Sequence, residues 1–138
     1  MGKLRFVFVM AMFLGIVACS TTSQELRSAP RIAGSFHLDL PFGTVRSNVI
    51  DETYKCYPGR GTTASYFYRR FQDDAPGESV TIDVIQGGLV TRAWISIDVK
   101  RSPLGGTDVS YFVGPRALFV DFPDVIQNWA AGTGKCRI

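Results

Sequence analysis

Apolar and polar side chains alternate most regularly between residues 90 and 100. The positions predicted to face inward are Ala93, Ile95, Ile97 and Val99, and the outward positions are Trp94, Ser96, Asp98 and Lys100. A period of two residues is that of a half-buried strand. The segments Val80 to Val84 and Val109 to Val113 repeat this pattern, and glycine-containing turns separate all three segments. Three strands joined by short turns predict an antiparallel meander.

Two further segments have extended character. The aromatic segment from Ser65 to Gln72 is typical of a strand. An earlier strand is predicted where Phe36, Leu38 and Leu40 alternate with His37 and Asp39, and Pro41 ends it. Phe119, Val120 and Phe122 fit either an edge strand or a buried approach to a helix, so both alternatives stay open.

The clearest helical pattern runs from about Thr44, which is a candidate N-cap, to Tyr57, and Pro58-Gly59 ends it. The residues predicted to face inward are Val45, Val49, Ile50, Thr53, Tyr54, Cys56 and Tyr57, and those predicted to face outward are Ser47, Asn48, Asp51, Glu52 and Lys55. Asp51 and Lys55 have the i,i+4 spacing of a stabilising ion pair. A second, short helix is predicted over about Pro123 to Ala131, with Gly132 after its last residue. Val125, Ile126 and Trp129 form the apolar stripe of this helix.

These elements predict an α+β fold. An antiparallel β-meander of about four to five strands carries an N-terminal and a C-terminal helix packed on one face, and the other face is partly solvated.

The N-terminal segment does not fit this fold. Lys3 and Arg5 precede an uncharged apolar run of 13 residues, Phe6 to Ala18, which is shorter than the roughly 20 residues that span a bilayer as a helix. A positively charged start followed by a short apolar run is typical of a secretory signal peptide. We therefore expect this N-terminal segment to be removed during export.

The residues Ile16-Val17-Ala18-Cys19 resemble the lipobox of bacterial lipoproteins. The resemblance implies that the chain is cut before Cys19 and that the Cys19 sulfur carries acyl chains such as palmitate. Several acyl chains hold a protein firmly at a membrane. In this family, a residue such as Ser20 after the cysteine, rather than aspartate, favours the periplasmic side of the outer membrane. The alternative is an ordinary secretory signal with an incidental cysteine.

This interpretation divides the chain into a signal peptide (1–18), a lipidated tether (19–34) and a single periplasmic domain (35–138). The tether assignment depends on Ser20 to Gly34, which is rich in Ser and Thr and has no apolar periodicity. Removal of Lys3 and Arg5 lowers the formal net charge from +3 to +1. A nearly neutral chain lacks the basic surface that nucleic acid requires, so no nucleic-acid partner is expected.

The two remaining cysteines, Cys56 and Cys136, predict a disulfide in an oxidising periplasm. A catalytic or metal-binding thiol is the alternative. Because the chain has a single histidine, His37, little supports that alternative.

The same shortage argues against an enzyme and against a metal or another cofactor. His37 and Asp39 lie on one face of a predicted strand, where an oriented imidazole or two metal ligands could form. Two solvated polar residues are the simpler interpretation. No catalytic role is therefore assigned.

The mature chain also resembles small proteobacterial lipoproteins of unknown function, through Lys55-Cys56-Tyr57, Ile95 to Lys100, Trp129 and Cys136. Two functional hypotheses follow. The first is an interaction or structural module that contacts an envelope protein or peptidoglycan through an exposed patch including Trp94 and Phe112, since exposed apolar patches mark contact sites. The second is a module that binds a small apolar molecule between helix and sheet.

Overall fold

The computed structural model describes residues 22–57, 59, 65–88, 90–115, 122–134 and 136. Its elements are, in chain order, α1 (Ser23–Ser28), β1 (Ile32–Leu38), α2 (Phe42–Cys56), β2 (Ser65–Ala75), β3 (Ser79–Gly88), β4 (Arg92–Arg101), β5 (Thr107–Val113) and α3 (Phe122–Ala131). The five strands form one antiparallel sheet in the order β1-β5-β4-β3-β2. The α+β fold class is therefore confirmed. The signal segment 1–18, Cys19 and residues 119–121 lie outside the described residues.

The main core lies between one face of the sheet and the helices α2 and α3. Its fully buried strand residues are Val80, Ile82 and Val84 on β3, Ile95, Ile97 and Val99 on β4, and Val109 and Val113 on β5. Burial of each such side chain contributes roughly 1.5–3 kcal/mol before conformational entropy is counted. The predicted alternation on β4 therefore identifies the core face, with one exception.

That exception is a β-bulge at Trp94. Val84 pairs with Ile95, but the next residue, Ile85, pairs with Ala93, so Trp94 is the extra residue of β4. Ala93 and Ile85 are buried outside the main core cluster. Ala93 is buried as predicted, but it does not share the core cluster of Ile95, because the bulge interrupts the period of two.

Helix α2 begins at Phe42, two residues before the predicted N-cap. Pro41 is the N-cap and Thr44 lies inside the helix, where its N–H donates to the Pro41 carbonyl at 3.0 Å. Two surface assignments also differ. Glu52 is only 4% exposed, whereas Tyr54 is 48% exposed. Lys55 pairs with Glu52 at 2.7 Å rather than with Asp51.

The C-terminal helix matches its prediction. Val125, Ile126 and Trp129 on α3 are buried, and Gly132 follows the helix with a φ of +74°, where glycine is favoured. Cys56, at the end of α2, forms the predicted disulfide with Cys136, and their Cα atoms are 5.0 Å apart. The disulfide therefore ties the C-terminal segment to α2.

The largest difference from the sequence analysis is at the N-terminal side of β1. This strand begins at Ile32 rather than at Phe36, and it pairs with β5 from Ile32↔Val113 to Leu38↔Thr107. Before it, Ser23–Ser28 form the helix α1. The expectation of a structureless tether up to Gly34 is thus wrong from residue 22 onward. Within the described part of the chain, no helix is long and apolar enough to cross a membrane.

Candidate functional site

A polar cleft of about 390 Å³ lies on the sheet face opposite the main core, beside α1. Its walls are Ser23, Gln24 and Arg27 from α1, Arg70, Gln72 and Asp74 from β2, Thr81 and Asp83 from β3, and Asp98 and Lys100 from β4. The strand residues of this set are the outward members of the alternating patterns. The cleft therefore forms where polar side chains of three neighbouring strands meet one short helix.

The floor of the cleft contains a buried carboxylate. Asp83 is 2% exposed and accepts hydrogen bonds from Ser23 Oγ at 2.7 Å, Ser96 Oγ at 2.5 Å and Arg70 Nη2 at 2.7 Å. A buried charge is unfavourable unless it is paired and hydrogen-bonded. Asp83 thus joins α1, β2 and β4 through one side chain.

A second carboxylate holds the C-terminal end of α1. Arg27 donates to both carboxylate oxygens of Asp98, at 2.5 and 2.9 Å, and to Ser96 Oγ at 2.7 Å. Its guanidinium carbon lies 5.0 Å from the centre of the Phe112 ring. Such bidentate, charge-assisted pairs have a specific geometry as well as favourable energy.

Arg27 and Asp98 each shift the pKa of the other. The pKa of Arg27 is raised above its ordinary value, chiefly by the hydrogen bond to Asp98. Burial raises the pKa of Asp98, but hydrogen bonds from Arg27 and Thr81 outweigh burial and hold that pKa below its ordinary value. The Arg27–Asp98 pair is therefore fully charged near neutral pH.

Local sequence explains why α1 forms. Thr22 Oγ1 accepts from the Glu25 N–H at 3.1 Å, and Glu25 Oε2 accepts from the Thr22 N–H at 2.8 Å, which is a complete capping box. A helix of six residues is not stable alone. Leu26, which is buried, and the bonds of Ser23 and Arg27 therefore hold it on the sheet.

The rim of the cleft is more open. Gln24, Gln72, Asp74 and Lys100 are exposed, and the Arg70 side chain is 54% exposed despite its bond to Asp83. The cleft lining contains three cationic and three anionic side chains, so its charge is balanced. Such a surface is suited to a polar partner rather than an apolar ligand.

The sequence-predicted patch residues have partners within the chain. The Trp94 indole packs against the main core, and its N–H donates to Gln86 Oε1 at 3.0 Å. Phe112 is partly buried and lies near the Arg27 guanidinium. The large apolar side chains that are exposed in the described part of the chain are Tyr54, Val90 and Leu104.

His37 lies near the C-terminal end of β1 and is not one of the residues that line the cleft. Its Nδ1 is 2.7 Å from Asp108 Oδ1 and its Nε2 is 3.3 Å from Asp39 Oδ1. The pKa of His37 is raised, chiefly by the hydrogen bond with Asp108. Within the ranges that the structure covers, no three His, Cys, Asp or Glu side chains are arranged to hold a metal ion.

Side chains of α2, α3 and the sheet meet in one core cluster between the helices and the sheet. Within this cluster, full or nearly full burial is found for Val45 and Val49 of α2, Ile126 and Trp129 of α3, and Ile82, Ile95, Ile97, Val99 and Val109 of the sheet. The module that binds a small apolar molecule stays a prediction.

Sequence reasoning missed Ser23, Arg27, Asp83 and Asp98 as a group. One signal was present, because Thr22 and Glu25 have the spacing of a capping box. The contacts themselves join residues 60 to 71 positions apart, and no local pattern indicates them.

Comparisons with known proteins add no assignment. No protein-family model matches the chain, and no curated protein matches it significantly. The proposals below therefore depend on the residues and geometry of this chain.

Proposed function

We propose that the chain is a lipid-anchored protein of the bacterial cell envelope, on the periplasmic side of the outer membrane, and that it acts as an interaction module. Its polar cleft is the contact surface for an envelope protein or peptidoglycan. The lipobox resemblance around Cys19 supports the location, and the position of α1 supports the role of the cleft.

The supporting observation is the short distance along the chain between Cys19 and the cleft. Ser23 and Gln24 line the cleft, and the docked helix begins four residues after Cys19. Four residues span at most about 14 Å. An acylated Cys19 would therefore hold this side of the domain close to the membrane surface, instead of leaving it on a long flexible tether.

The chemistry of the cleft defines the class of partner. Exposed amides on Gln24 and Gln72 and charges on Lys100 and Asp74 provide hydrogen-bond donors and acceptors at the rim. Polar groups of both signs give orientation and specificity more than raw affinity. We therefore expect a polar partner, such as a loop of an envelope protein or the peptide part of peptidoglycan.

Photo-crosslinking in living cells tests this role. A photoreactive amino acid replaces Gln24, which is exposed on the cleft rim, and a matched variant carries it at Leu104, which is 96% exposed in the β4–β5 turn. We expect a discrete adduct with a heterologous envelope protein or peptidoglycan fragment from position 24 and not from position 104. Equal labelling at both positions, or no adduct at position 24, would contradict the proposal.

A further inference from the structure

Strand β2 is an edge of the sheet. It contains 11 residues, Ser65–Ala75, and among the described strands it pairs only with β3. An edge strand presents unpaired backbone N–H and C=O groups to any strand that can lie beside it. The side chains of β2 determine which strand fits.

The central part of β2 has a self-complementary charge pattern. Its sequence is Arg69-Arg70-Phe71-Gln72-Asp73-Asp74, with two cations before the centre and two anions after it. An antiparallel copy of this segment therefore brings cations opposite anions. Charge complementarity of this kind favours a second copy of the same chain.

The side chains of the segment divide between the two sheet faces. Arg70, Gln72 and Asp74 line the polar cleft. Arg69 and Asp73 lie on the α2 side, because Arg69 donates to the Tyr57 carbonyl and Asp73 pairs with Arg46 at 3.6 Å. A β-bulge lies between Gln72 and Ala75, but Asp74 still faces the cleft, where it accepts from Thr81 Oγ1 at 2.8 Å.

We propose that two copies of this protein associate through β2, antiparallel, with Gln72 on the two-fold axis. In an antiparallel pair, opposite residues point to the same face. With Gln72 opposite Gln72 of the second copy, Arg70 lies opposite Asp74 of the second copy, and this ion pair occurs twice. The association joins two five-stranded sheets into one continuous sheet.

Other registers are less favourable. With Arg70 on the axis, two guanidinium groups would face each other, which destabilises a cross-strand pair. With Phe71 on the axis, the pairing cation would be Arg69, whose guanidinium already lies 3.6 Å from the Tyr54 ring centre. The Gln72 register instead uses Arg70, which stays 54% exposed while it bonds Asp83, and Asp74, which is exposed, whereas Arg69 is partly buried.

The symmetry also suits a membrane-anchored chain. A two-fold axis perpendicular to the sheet leaves the cleft faces of both copies, and both α1 helices, on the same side. Two acylated Cys19 residues could then insert into one bilayer. The two clefts become neighbours across the axis, because Arg70, Gln72 and Asp74 of each copy line both its cleft and the new interface.

This geometric argument for one membrane rests on the proposed function, whereas the strand pairing itself does not require lipid. The two can therefore fail separately. Loss of acylation in the Cys19→Ala variant would affect location, while pairing through β2 would still be measurable.

Disulfide crosslinking of the full chain in isolated membranes tests the interface. A Gln72→Cys substitution places a thiol on the axis, and Leu104→Cys provides a matched exposed thiol at the β4–β5 turn. After mild oxidation we expect most of the Gln72→Cys protein to migrate as a covalent dimer, at least tenfold above the Leu104→Cys level. Equal dimer yields for the two variants would overturn the proposal.

A charge variant gives an independent measurement. Asp74→Lys places a cation opposite Arg70 of the second copy, and Asp74→Asn removes the charge without reversal. In detergent-solubilised full-length protein, we expect the dimer dissociation constant from sedimentation equilibrium to rise at least tenfold for Asp74→Lys and less for Asp74→Asn. Unchanged thermal unfolding would show that both variants fold. A wild-type chain that sediments as a monomer would overturn the proposal, and so would an unchanged dimer dissociation constant in Asp74→Lys.

Discussion

Arg27 and Asp98, which are 71 positions apart in the chain, form a two-point ion pair that fastens the first helix to the sheet. Their side chains are 28% and 14% exposed, so the pair is partly shielded from water. Through this contact, the helix Ser23–Ser28 becomes part of the domain. The position of the cleft relative to the proposed lipid anchor at Cys19 depends on it.

Removal of the Arg27 side chain should detach α1. The Arg27→Ala variant loses charge-assisted hydrogen bonds and leaves Asp98 without its cation, which should lower the free energy of unfolding by about 1.5–3 kcal/mol. Hydrogen exchange should show faster exchange for the amides of Ser23–Ser28 and little change in β3. Arg31→Ala is the control, because Arg31 is exposed and its bond to the Pro115 carbonyl is long, at 3.2 Å. Equal effects of the two substitutions would show that α1 is held by other contacts.

Asp98 should make stability sensitive to acid. Its pKa in the folded chain lies below the ordinary 3.8, so the unfolded chain binds more protons in acid than the folded chain does. The contribution of Asp98 to the free energy of unfolding is therefore complete above its pKa in the unfolded chain. It is lost as pH falls from about 4 through its pKa in the folded chain. The free energy of unfolding, measured by urea unfolding at several pH values, should depend less steeply on pH in this range for Asp98→Asn than for Asp51→Asn. The same pH dependence of stability in both variants would contradict a stabilising role of the Arg27–Asp98 pair.

His37 should titrate above its ordinary value. The hydrogen bond with Asp108, assisted by Asp39, stabilises the imidazolium and raises the pKa above 6.5. The contribution of this contact to stability is present below pH 6.5 and is lost as pH rises through the folded pKa. Proton NMR of the imidazole should give a midpoint above 6.5 in the wild type and a lower midpoint in Asp108→Asn. An unchanged midpoint in that variant would show that Asp108 is not the partner in solution.

The disulfide should be a major source of stability. Cys56 and Cys136 close a segment of 80 residues, and a crosslink of that length stabilises the folded chain by roughly 4 kcal/mol in the chain-entropy model. The free energy of unfolding, measured with urea, should therefore fall by a similar amount in Cys56→Ser, Cys136→Ser and the double variant, since each breaks the same bond. A double variant much less stable than either single variant would mean that the cysteines act separately.

The sequence predicted those parts of the fold that depend on local periodicity. Ile95, Ile97 and Val99 repeat every second residue, and their burial follows from that period. The bulge at Trp94 was not predicted, because it arises from the pairing between β3 and β4 and has no local sequence pattern. Glu52 was assigned to the surface by the helical period, although the Gly134 backbone packs close to its carboxylate.

The candidate site was harder to predict for the same reason. The alternating pattern places Asp83 and Asp98 on the outward face of two strands, but it does not predict which element packs on that face. The α1 segment has one fully buried apolar residue, Leu26, which is too few for a recognisable period. Its docking depends on contacts with residues far along the chain, and only the folded structure brings those residues together.

The most direct test of the account is the intact mass of the full-length protein extracted from bacterial membranes. We predict a chain that begins at Cys19 and carries added acyl mass, and a Cys19→Ala variant that lacks this mass and is no longer retained by the membrane. A chain cut elsewhere, or a mature wild-type chain without acyl groups, would contradict lipid anchoring and with it the placement of the cleft at the membrane surface.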